Sequence, residues 1–585
     1  MTVETTPSSS SPGPNANPAE SVLDAAAPPA VDPTQAQTNA GVARATGVLA
    51  LGNVISRVFG LLREIVLTNL FGASAATDAF KIATLVPKTI YDLLIAGHVN
   101  GAIIPVLSEV VEKDGRAELW RLVSVLLSII TALMAVLTLA LQVAAPLVVT
   151  VFGGGADPFT RSLAVDLLRL TSPALIFMGL FSILSGTLYA LRVFTWPAFA
   201  TATFNGVIVI VALLFAPPPQ FALEIVDGYR VAATVTRPGS GITVMAVGWL
   251  LGSVAYVLLQ LPGLRGARLR PTLNWRHPAL RRIGLLYIPV MFSLVMDTLI
   301  IRPFSYNLAS QTGQGSISYM DWATTLIQFP QGLVATAISI AILPTLARQA
   351  AVFAAARQAD RTDETDTPFK DTLGLGMRLT ITLILPATTG LFVLATPIIA
   401  LLFQHGAFTA ADTEATATVL RLYLIGLPFA ALDLLLVYAF YARQDTLTPA
   451  LIGLFSLFVY MGVALLLMPE FGLLSLMIAD SVKHIVHAAV SAYVLNRRLG
   501  GFGQQRLLVT AVKSGLAAAA MAGTALILLP VLTSLTGTGS TLRELLLVIS
   551  IGGISGLTFT GLAIALRIDE WRWFFNTMRR RLSRV

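Results

Sequence analysis

The stretch NVISRVFGLLREIVLTNLFGASAATDAFKIATLVPKTIYDLLIAGHVNGAIIP, residues 53–105, reads as two apolar helices with charges where hydrocarbon is expected. The first carries Asn53, Arg57, Arg63 and Glu64, and the second Asp78, Lys81, Lys88, Asp92 and His98. A charge at a bilayer centre costs roughly 2.5–3.5 kcal/mol on insertion scales, so this many in two helices must face protein or a wet cavity. A polar cavity inside a membrane bundle is the functional expectation that follows.

The rest of the chain supports that setting. It is 55% hydrophobic and 12% charged, with a mean hydropathy of +0.77, whereas soluble domains carry about 25% charged residues. A polytopic membrane protein is the consequence. The absence of cysteine excludes disulfides, thiolate zinc sites and thiol catalysis. Five scattered histidines and no HExxH, GxSxG or GxxxxGK[ST] pattern leave no catalytic residue and no metal site to expect. The net charge of +8 does not point to nucleic acid, because the arginines lie in loops that flank apolar spans.

A bilayer core takes about 20 helical residues to cross. Fourteen apolar stretches of that order follow one another, near 45–70, 79–108, 119–150, 162–191, 196–216, 241–263, 283–308, 316–346, 372–403, 414–442, 447–468, 471–496, 507–534 and 542–566. One set of alternate loops, with both termini, holds 25 Lys and Arg, including the cluster from Arg265 to Arg282, and the other set holds only Arg161, Arg230, Arg237 and Arg543. Short cytoplasmic loops carry such an excess, so both termini are expected in the cytoplasm and the number of spans is even. The fold class is therefore all-α and polytopic.

The chain also repeats itself. The tripeptide LRL at 168–170 and 420–422, the pairs Tyr189-Ala190 and Tyr441-Ala442, and Pro197-Ala198 and Pro449-Ala450 recur at an offset of 252. AIIPVL at 102–107 is answered by AILPTL at 341–346. Two pseudo-symmetric six-helix bundles, 43–264 and 283–500, are expected, joined by a basic cytoplasmic linker at 265–282. Internal repeats mark alternating-access transporters, with the substrate handled at the repeat interface. Residues 1–42, rich in Pro, Ser and Ala, read as a disordered tail. Two further helices occupy 501–567. The tail 568–585 mixes Trp571, Trp573, Phe574 and Phe575 with five arginines, a composition suited to an interfacial helix on anionic membrane lipids, or to an ordinary positive-inside anchor.

Asn53, Arg57 and Glu64 share one helical face, and Arg63 points elsewhere. Asp78, Lys81, Lys88 and Asp92 form a stripe interrupted by Pro87. A cationic membrane cavity suits an anion, and arginine matches phosphate oxygens bidentately. Arg57, Arg63, Asp78, Lys81, Lys88 and Arg302 are the candidate residues of the anion cavity; the alternative is that Arg57–Glu64, Lys88–Asp92 and Asp297–Arg302 are pairs that lock helices together. Asn53, Glu64, Asp92, Asp297, Asp321, Asp480 and Lys483 are candidates for ion coupling or for structure, the last two sharing a face with His484 and His487. No cofactor is expected beyond a coupling ion of unassigned identity.

ISRVFGLLREIVLTNLFGASAATDAF at 55–80, AIIPVL, FPQGLV at 329–334, AILPTL and FQHGAF at 403–408 resemble the MurJ/MviN family, bacterial lipid II flippases of the multidrug/oligosaccharidyl-lipid/polysaccharide exporter superfamily. The resemblance runs from about 45 to 500. It implies a V-shaped pair of bundles in the cytoplasmic membrane, helices 13 and 14 forming a groove for a polyprenyl tail, and a lipid-linked peptidoglycan precursor whose pyrophosphate meets cavity arginines. Arg57, Arg63 and Asp78 match the family's motif residues. The chain departs from the family where it has Tyr91, Asp92 and Ala96 after Pro87, and Ala323, Thr324 and Thr325 before FPQG. The expected function is lipid II translocation for wall synthesis, with wall-synthesis enzymes as possible partners; the alternatives are export of another polyprenyl-linked oligosaccharide, a cation-drug antiporter, or a non-transporting scaffold.

Overall fold

A computed structural model describes residues 33–93, 103–226, 230–270, 272, 297–358, 366–536 and 540–572. Its helices lie where hydropathy sets the spans: α1 (Pro33–Phe71), α2 (Ala75–Tyr91), α3 (Ile104–Lys113), α4 (Gly115–Gly153), α5 (Pro158–Thr171), α6 (Ala174–Ala190), α7 (Thr195–Phe215) and α8 (Thr243–Leu258) in the first half. In the second half come α9 (Arg302–Ser310), α10 (Ser316–Pro330), α11 (Ala337–Gln358), α12 (Thr367–Val393), α13 (Ala395–Phe403), α14 (Ala410–Ala442), α15 (Leu447–Phe471) and α16 (Leu474–Leu499). α17 (Leu507–Thr536) and α18 (Thr541–Ala565) complete the chain. Among the described residues, nine spans are long and apolar enough to cross a bilayer, and α5 with α6, bent by 41° beside Pro173, passes the same test as a pair. Of the other four expected spans, two fall on α1 and α16, the span 79–108 begins in α2 and ends in α3, and the span 283–308 ends in α9; residues 94–102 and 283–296 of the last two lie outside the described residues.

The 252-residue repeat is written into the backbone. Pro197 and Pro449 each sit two residues into their helices, α7 and α15, where a missing N–H costs nothing. The turn before each carries a left-handed residue, Arg192 at φ 59° and Gln444 at φ 60°, and these too are 252 apart.

The two bundles share one core at one end only. There, Leu67, Leu70 and Phe71 of α1 belong to the same buried cluster as Trp322, Phe403 and Phe408 of the second bundle. At the end that carries the Lys- and Arg-rich loops, the second bundle closes on itself around Phe369, Leu435, Phe440 and Leu495, with no member from the first. The bundles therefore splay apart toward the basic end, which agrees with the expected V. α17 and α18 pack on α12 and α13 through smaller clusters centred on Met521, Phe559 and Ile551.

Three boundaries differ from expectation. α1 begins at Pro33, ten residues inside the segment expected to be disordered: the uncharged stretch 33–43 has its only proline at the first helical position, where the missing N–H costs no helix bond, and it prolongs the membrane helix; residues 1–32 lie outside the described residues. Residues 217–240, between the expected spans 196–216 and 241–263, contain an antiparallel hairpin, β1 (Gln220–Val226) and β2 (Arg230–Thr236). The start of the linker is tied to α4, with Arg270 and Thr272 N–H groups donating to Ser124 and Ser128 hydroxyls at 3.0 Å each; the rest of 273–282 lies outside the described residues. Trp571 of the tail packs edge-on against Phe559, so it faces protein, and residues 573–585 lie outside the described set.

Backbone from both bundles meets tightly at the hairpin end. The Ala407 N–H donates to the Asn69 carbonyl at 2.9 Å. Gly72 and Gly406 have φ 58° and 61°, and a Cβ on either would lie 2.3 Å from the facing carbonyl, Ala407 or Asn69. Only glycine fits there. Gly406→Ala is expected to cost about 1–2 kcal/mol from the left-handed backbone alone, and more from the clash. Thermal unfolding in detergent should show a lower midpoint for Gly406→Ala but not for Gly462→Ala, where the added Cβ meets open space.

Candidate functional site: the cavity between the bundles

A cavity of about 810 Å³ lies between the bundles, walled by α1, α2, α6, α7 and α8 on one side and by residues 301–306, α10, Gln331, α14, α15 and α16 on the other. Five cations face it, Arg63, Lys81, Lys88, Arg302 and Lys483, together with the acids Asp92, Asp321 and Asp480. Aromatic rings fill much of the remaining wall, including Trp249, Tyr256, Tyr306, Tyr423 and Tyr460.

At the closed head of the cavity sits a buried ionic cluster that joins the bundles. Glu64, only 2% exposed, accepts from Arg63 at 2.5 Å, from Lys81 at 2.6 Å and from the Trp322 indole N–H at 3.1 Å. Lys81, 7% exposed, also pairs with Asp321 of α10, to which Tyr306 donates at 3.4 Å. Helix periodicity builds this arrangement: Arg63 and Glu64 are consecutive, so Glu64 turns into the seam and Arg63 turns to the cavity. Arg63 spends Nε and Nη2 on Glu64 and Nη1 on the Asn205 amide oxygen at 3.1 Å, with its guanidinium 5.7 Å above Trp249. A guanidinium has five N–H donors, so two remain for a ligand.

Asp78 serves a different purpose. Its buried carboxylate accepts from the Gly315 N–H at 2.7 Å, the Ser318 N–H at 2.9 Å and the Ser318 hydroxyl at 2.6 Å, capping the first turn of α10 from the opposite bundle. A carboxylate at a helix N-terminus satisfies otherwise orphaned donors and complements the helix dipole. More backbone-directed bonds join the bundles nearby, from Asn307 to the carbonyls of Thr150 and Val151 and from the Gly155 N–H to Ser310.

Arg57 is absent from the cavity wall: its Nη1 donates to the Gln328 carbonyl at 3.3 Å, at the edge of the seam between α1 and α10. That carbonyl lies beside Pro330 and a π-turn at Gln331–Thr336, where the loosened ladder leaves backbone oxygens accessible. Asn53 is exposed and also off the wall. Lys88 and Asp92 form the expected pair at 2.7 Å on the wall, but at i,i+4 it stays within one helix segment and ties no two helices together, while Arg57 and Glu64 pair elsewhere. Arg302 faces the cavity; the side chain of Asp297 and all of His98 lie outside the described residues. Asp480, Lys483 and His484 are on the wall, with Lys483 2.5 Å from Asp480, whereas His487 pairs with Asp433 of α14. At the two departures, Tyr91 exchanges a hydrogen bond with Ser182 at 2.8 Å, and Thr325 donates to the Asp321 carbonyl one turn back at 3.0 Å.

Sequence reasoning missed Asn205, Asp433 and the aromatic wall. A lone Asn or Asp in an apolar span was readable as a polar group needing a partner. The aromatics gave no such signal, since core and cavity use the same rings.

Removing the shared cation isolates the node. Lys81→Met leaves Glu64 with Arg63 as its one cation beside the Trp322 indole, and Asp321 without its ion pair; breaking a buried pair costs about 3–5 kcal/mol, less here because Asp321 is 30% exposed. In thermal unfolding, Lys81→Met should destabilise more than Lys81→Met combined with Asp321→Asn, a coupling that a double-mutant cycle measures directly.

The chain matches the family model described as "Lipid II flippase MurJ" over residues 67–547. A probable lipid II flippase MurJ of Haemophilus influenzae is 31% identical over 467 residues, covering 76% of this chain and 84% of that protein. The lipid II flippase MurJ of Burkholderia cenocepacia is 30% identical over 413 residues, covering 68% and 73%. Among solved structures, "Lipid II flippase MurJ, inward closed conformation" aligns with a TM-score of 0.69 at 22% identity, over 89% of this chain and 98% of that one. An inward-facing multidrug resistance MATE family transporter aligns with a TM-score of 0.57 at 16% identity, over 77% and 96%. At these identities the two structures speak for the fold.

Proposed function

The chain belongs to the lipid II flippase MurJ family, and from that premise we propose that it carries lipid II across the bacterial cytoplasmic membrane by alternating access of its two bundles. The observation that carries the reading is the cavity, which lies between the bundles with Arg63, Lys88 and Arg302 on its wall and a tight bundle-to-bundle seam at its head. The Lys- and Arg-rich loops lie at the other end, so by the positive-inside rule that end and both termini are cytoplasmic. The cavity then faces the leaflet in which a lipid-linked wall precursor is made, and the hairpin end is the outer gate.

The pyrophosphate docks at the two spare N–H groups of Arg63, with Lys88 and Arg302 further down the wall as additional cationic contacts. Arg57 and Asp78 act on the seam: Arg57 by holding α1 to α10, Asp78 by capping α10 while the gate is shut. The polyprenyl tail stays in lipid along α17 and α18, whose outer faces expose Leu526, Ile527 and Leu557. Asp480, Lys483 and His484 supply the cavity's second charged wall and are the place where a coupling ion would change its charge balance. Moving one charge through 100 mV supplies about 2.3 kcal/mol, enough to bias such a switch.

A second reading, export of another polyprenyl-linked oligosaccharide, draws on Tyr91 and Thr325, two of the positions at which the chain departs from the family it resembles; they are bonded to Ser182 and to the Asp321 carbonyl. The two readings separate in a strain depleted of its own flippase, with lipid II accessibility at the outer leaflet as readout. Lipid II transport predicts rescue by the wild type, a loss of about tenfold or more with Arg63→Ala, and a smaller loss with Arg57→Ala. A wild type that fails to rescue while supporting another lipid-linked glycan assigns the second reading; rescue by Arg63→Ala at full rate removes the cavity mechanism and leaves a scaffold.

The chain's lack of cysteine allows a direct test of the gate. With Asn69→Cys and Ala407→Cys at the hydrogen-bonded contact, oxidation should stop transport and reduction should restore it. Unchanged transport in the fully cross-linked protein would mean that the hairpin end never opens.

A further inference from the structure

At the basic end, α12, the start of α17 and the segment after α18 enclose a second cavity of about 370 Å³, separate from the central one. Its floor is a finished network. Arg378 in α12 donates to Glu570 at 2.5 Å and to the Gln505 carbonyl at 2.7 Å, and the Gln505 amide donates to Asp371 at 3.1 Å. That arrangement occupies Arg378 and both of its neighbouring acids. Arg506, Lys513 and Arg567 line the same hollow, and among the described residues none of the three has a carboxylate within ion-pair distance. The acid left on the rim is Asp569, exposed to solvent. Three cations with no ion-pair partner among the described residues repel one another around one small hollow, and an anion seated among them removes that cost.

The hydrocarbon side of the hollow is equally specific. Val509 lines it and starts an exposed apolar strip, Val509, Val512 and Leu516, at 50%, 53% and 59% exposure. Spacing of i, i+3 and i+7 puts the three on one face of α17, running from the cations into the bilayer. A phosphate held by three cations, with acyl chains descending an apolar strip from the same point, describes a membrane lipid better than a dissolved ion.

We propose that this hollow is a headgroup site for an anionic glycerophospholipid of the leaflet at the basic end, of the phosphatidylglycerol or cardiolipin class. The lipid fastens the α17–α18 pair to α12. It is independent of the central cavity and of what that cavity carries.

The test uses the full chain purified in detergent and its thermal midpoint. Dioleoyl phosphatidylglycerol is expected to raise the midpoint by at least about 2 °C over dioleoyl phosphatidylcholine. Arg506→Gln, Lys513→Gln and Arg567→Gln together should abolish the difference, and inorganic phosphate at the same concentration should not reproduce it. Removing the same number of charges at Lys113, Arg116 and Arg121, on the first bundle, should leave the difference in place. If the triple variant does not fold, the three single variants, each expected to weaken the shift, replace it. An equal shift in the substituted proteins, a shift lost in the Lys113 control set, no preference for phosphatidylglycerol, or full reproduction by phosphate would each overturn the proposal.

Discussion

The structure depends on how a carboxylate survives at hydrocarbon depth. Glu64 is all but sealed from solvent, and it is tolerable there because Arg63, Lys81 and the Trp322 indole surround it. Desolvating an ion costs several kcal/mol even after relaxation, and partners of ideal geometry only offset that cost. Such a cluster adds little net stability. Its value is that its members come from two bodies. Glu64, Arg63 and Lys81 belong to the first bundle, Asp321 and Trp322 to the second. When the bundles part at this end, Glu64 keeps both cations, and Asp321, already partly open to the cavity, passes to water. Neither side is left with a buried, unpaired charge, so the seam can open without the penalty that usually locks buried ion pairs. The Asp78 cap also spans the two bodies: its partners, the Gly315 and Ser318 N–H groups and the Ser318 hydroxyl, all belong to the second bundle and are buried while the bundles are docked.

Much of this was legible in the sequence, and what was not has a physical reason. Span positions follow from hydropathy because a bilayer imposes one length on every helix, and the alternation of basic loops fixes their parity. The repeat was legible because Pro197 and Pro449 terminate equivalent turns. Periodicity also ordered the first helix correctly: Arg57 and Glu64 share a face, and both meet α10, at Gln328 and Trp322. What periodicity does not contain is where that face points. It points at the seam, so Arg57 is a strut and the off-face Arg63 is the cavity residue. Pairings such as Lys81 with Asp321, 240 residues apart, depend on two bundles docking and leave no local trace. The hairpin is a different kind of miss. Phe221, Leu223 and Ile225, then Asp227-Gly228, then Val231 and Val235 form the alternating pattern around a turn dipeptide that marks a hairpin, a signal of period two that the twenty-residue apolar runs on either side outweigh.

The charge content of the cavity bears on what kind of binding it supports. An array of free cations would grip a diphosphate strongly and release it slowly, and a transporter needs a substrate to enter and leave on the same cycle. Here most wall cations are already engaged. Lys88 has Asp92, Lys483 has Asp480, and Lys81 is consumed by the seam. A phosphate that draws Lys88 away from Asp92 exchanges one ion pair for another, and the net gain is the difference between two similar interactions rather than the whole of one. Arg63 departs from this pattern, because its guanidinium keeps two donors after satisfying Glu64 and Asn205, and bidentate geometry is what a neighbouring lysine does not supply. The cavity therefore combines one directional contact with several exchangeable ones. Tyr91 and Thr325 add no charge to the wall, since each is a neutral hydroxyl already bonded to protein. On the wall itself, Arg63 is set among aromatic and hydroxyl side chains, Trp249, Tyr256, Tyr306, Tyr423 and Tyr460, so most of the surface around this directional donor is neutral and the count of cations alone does not describe it.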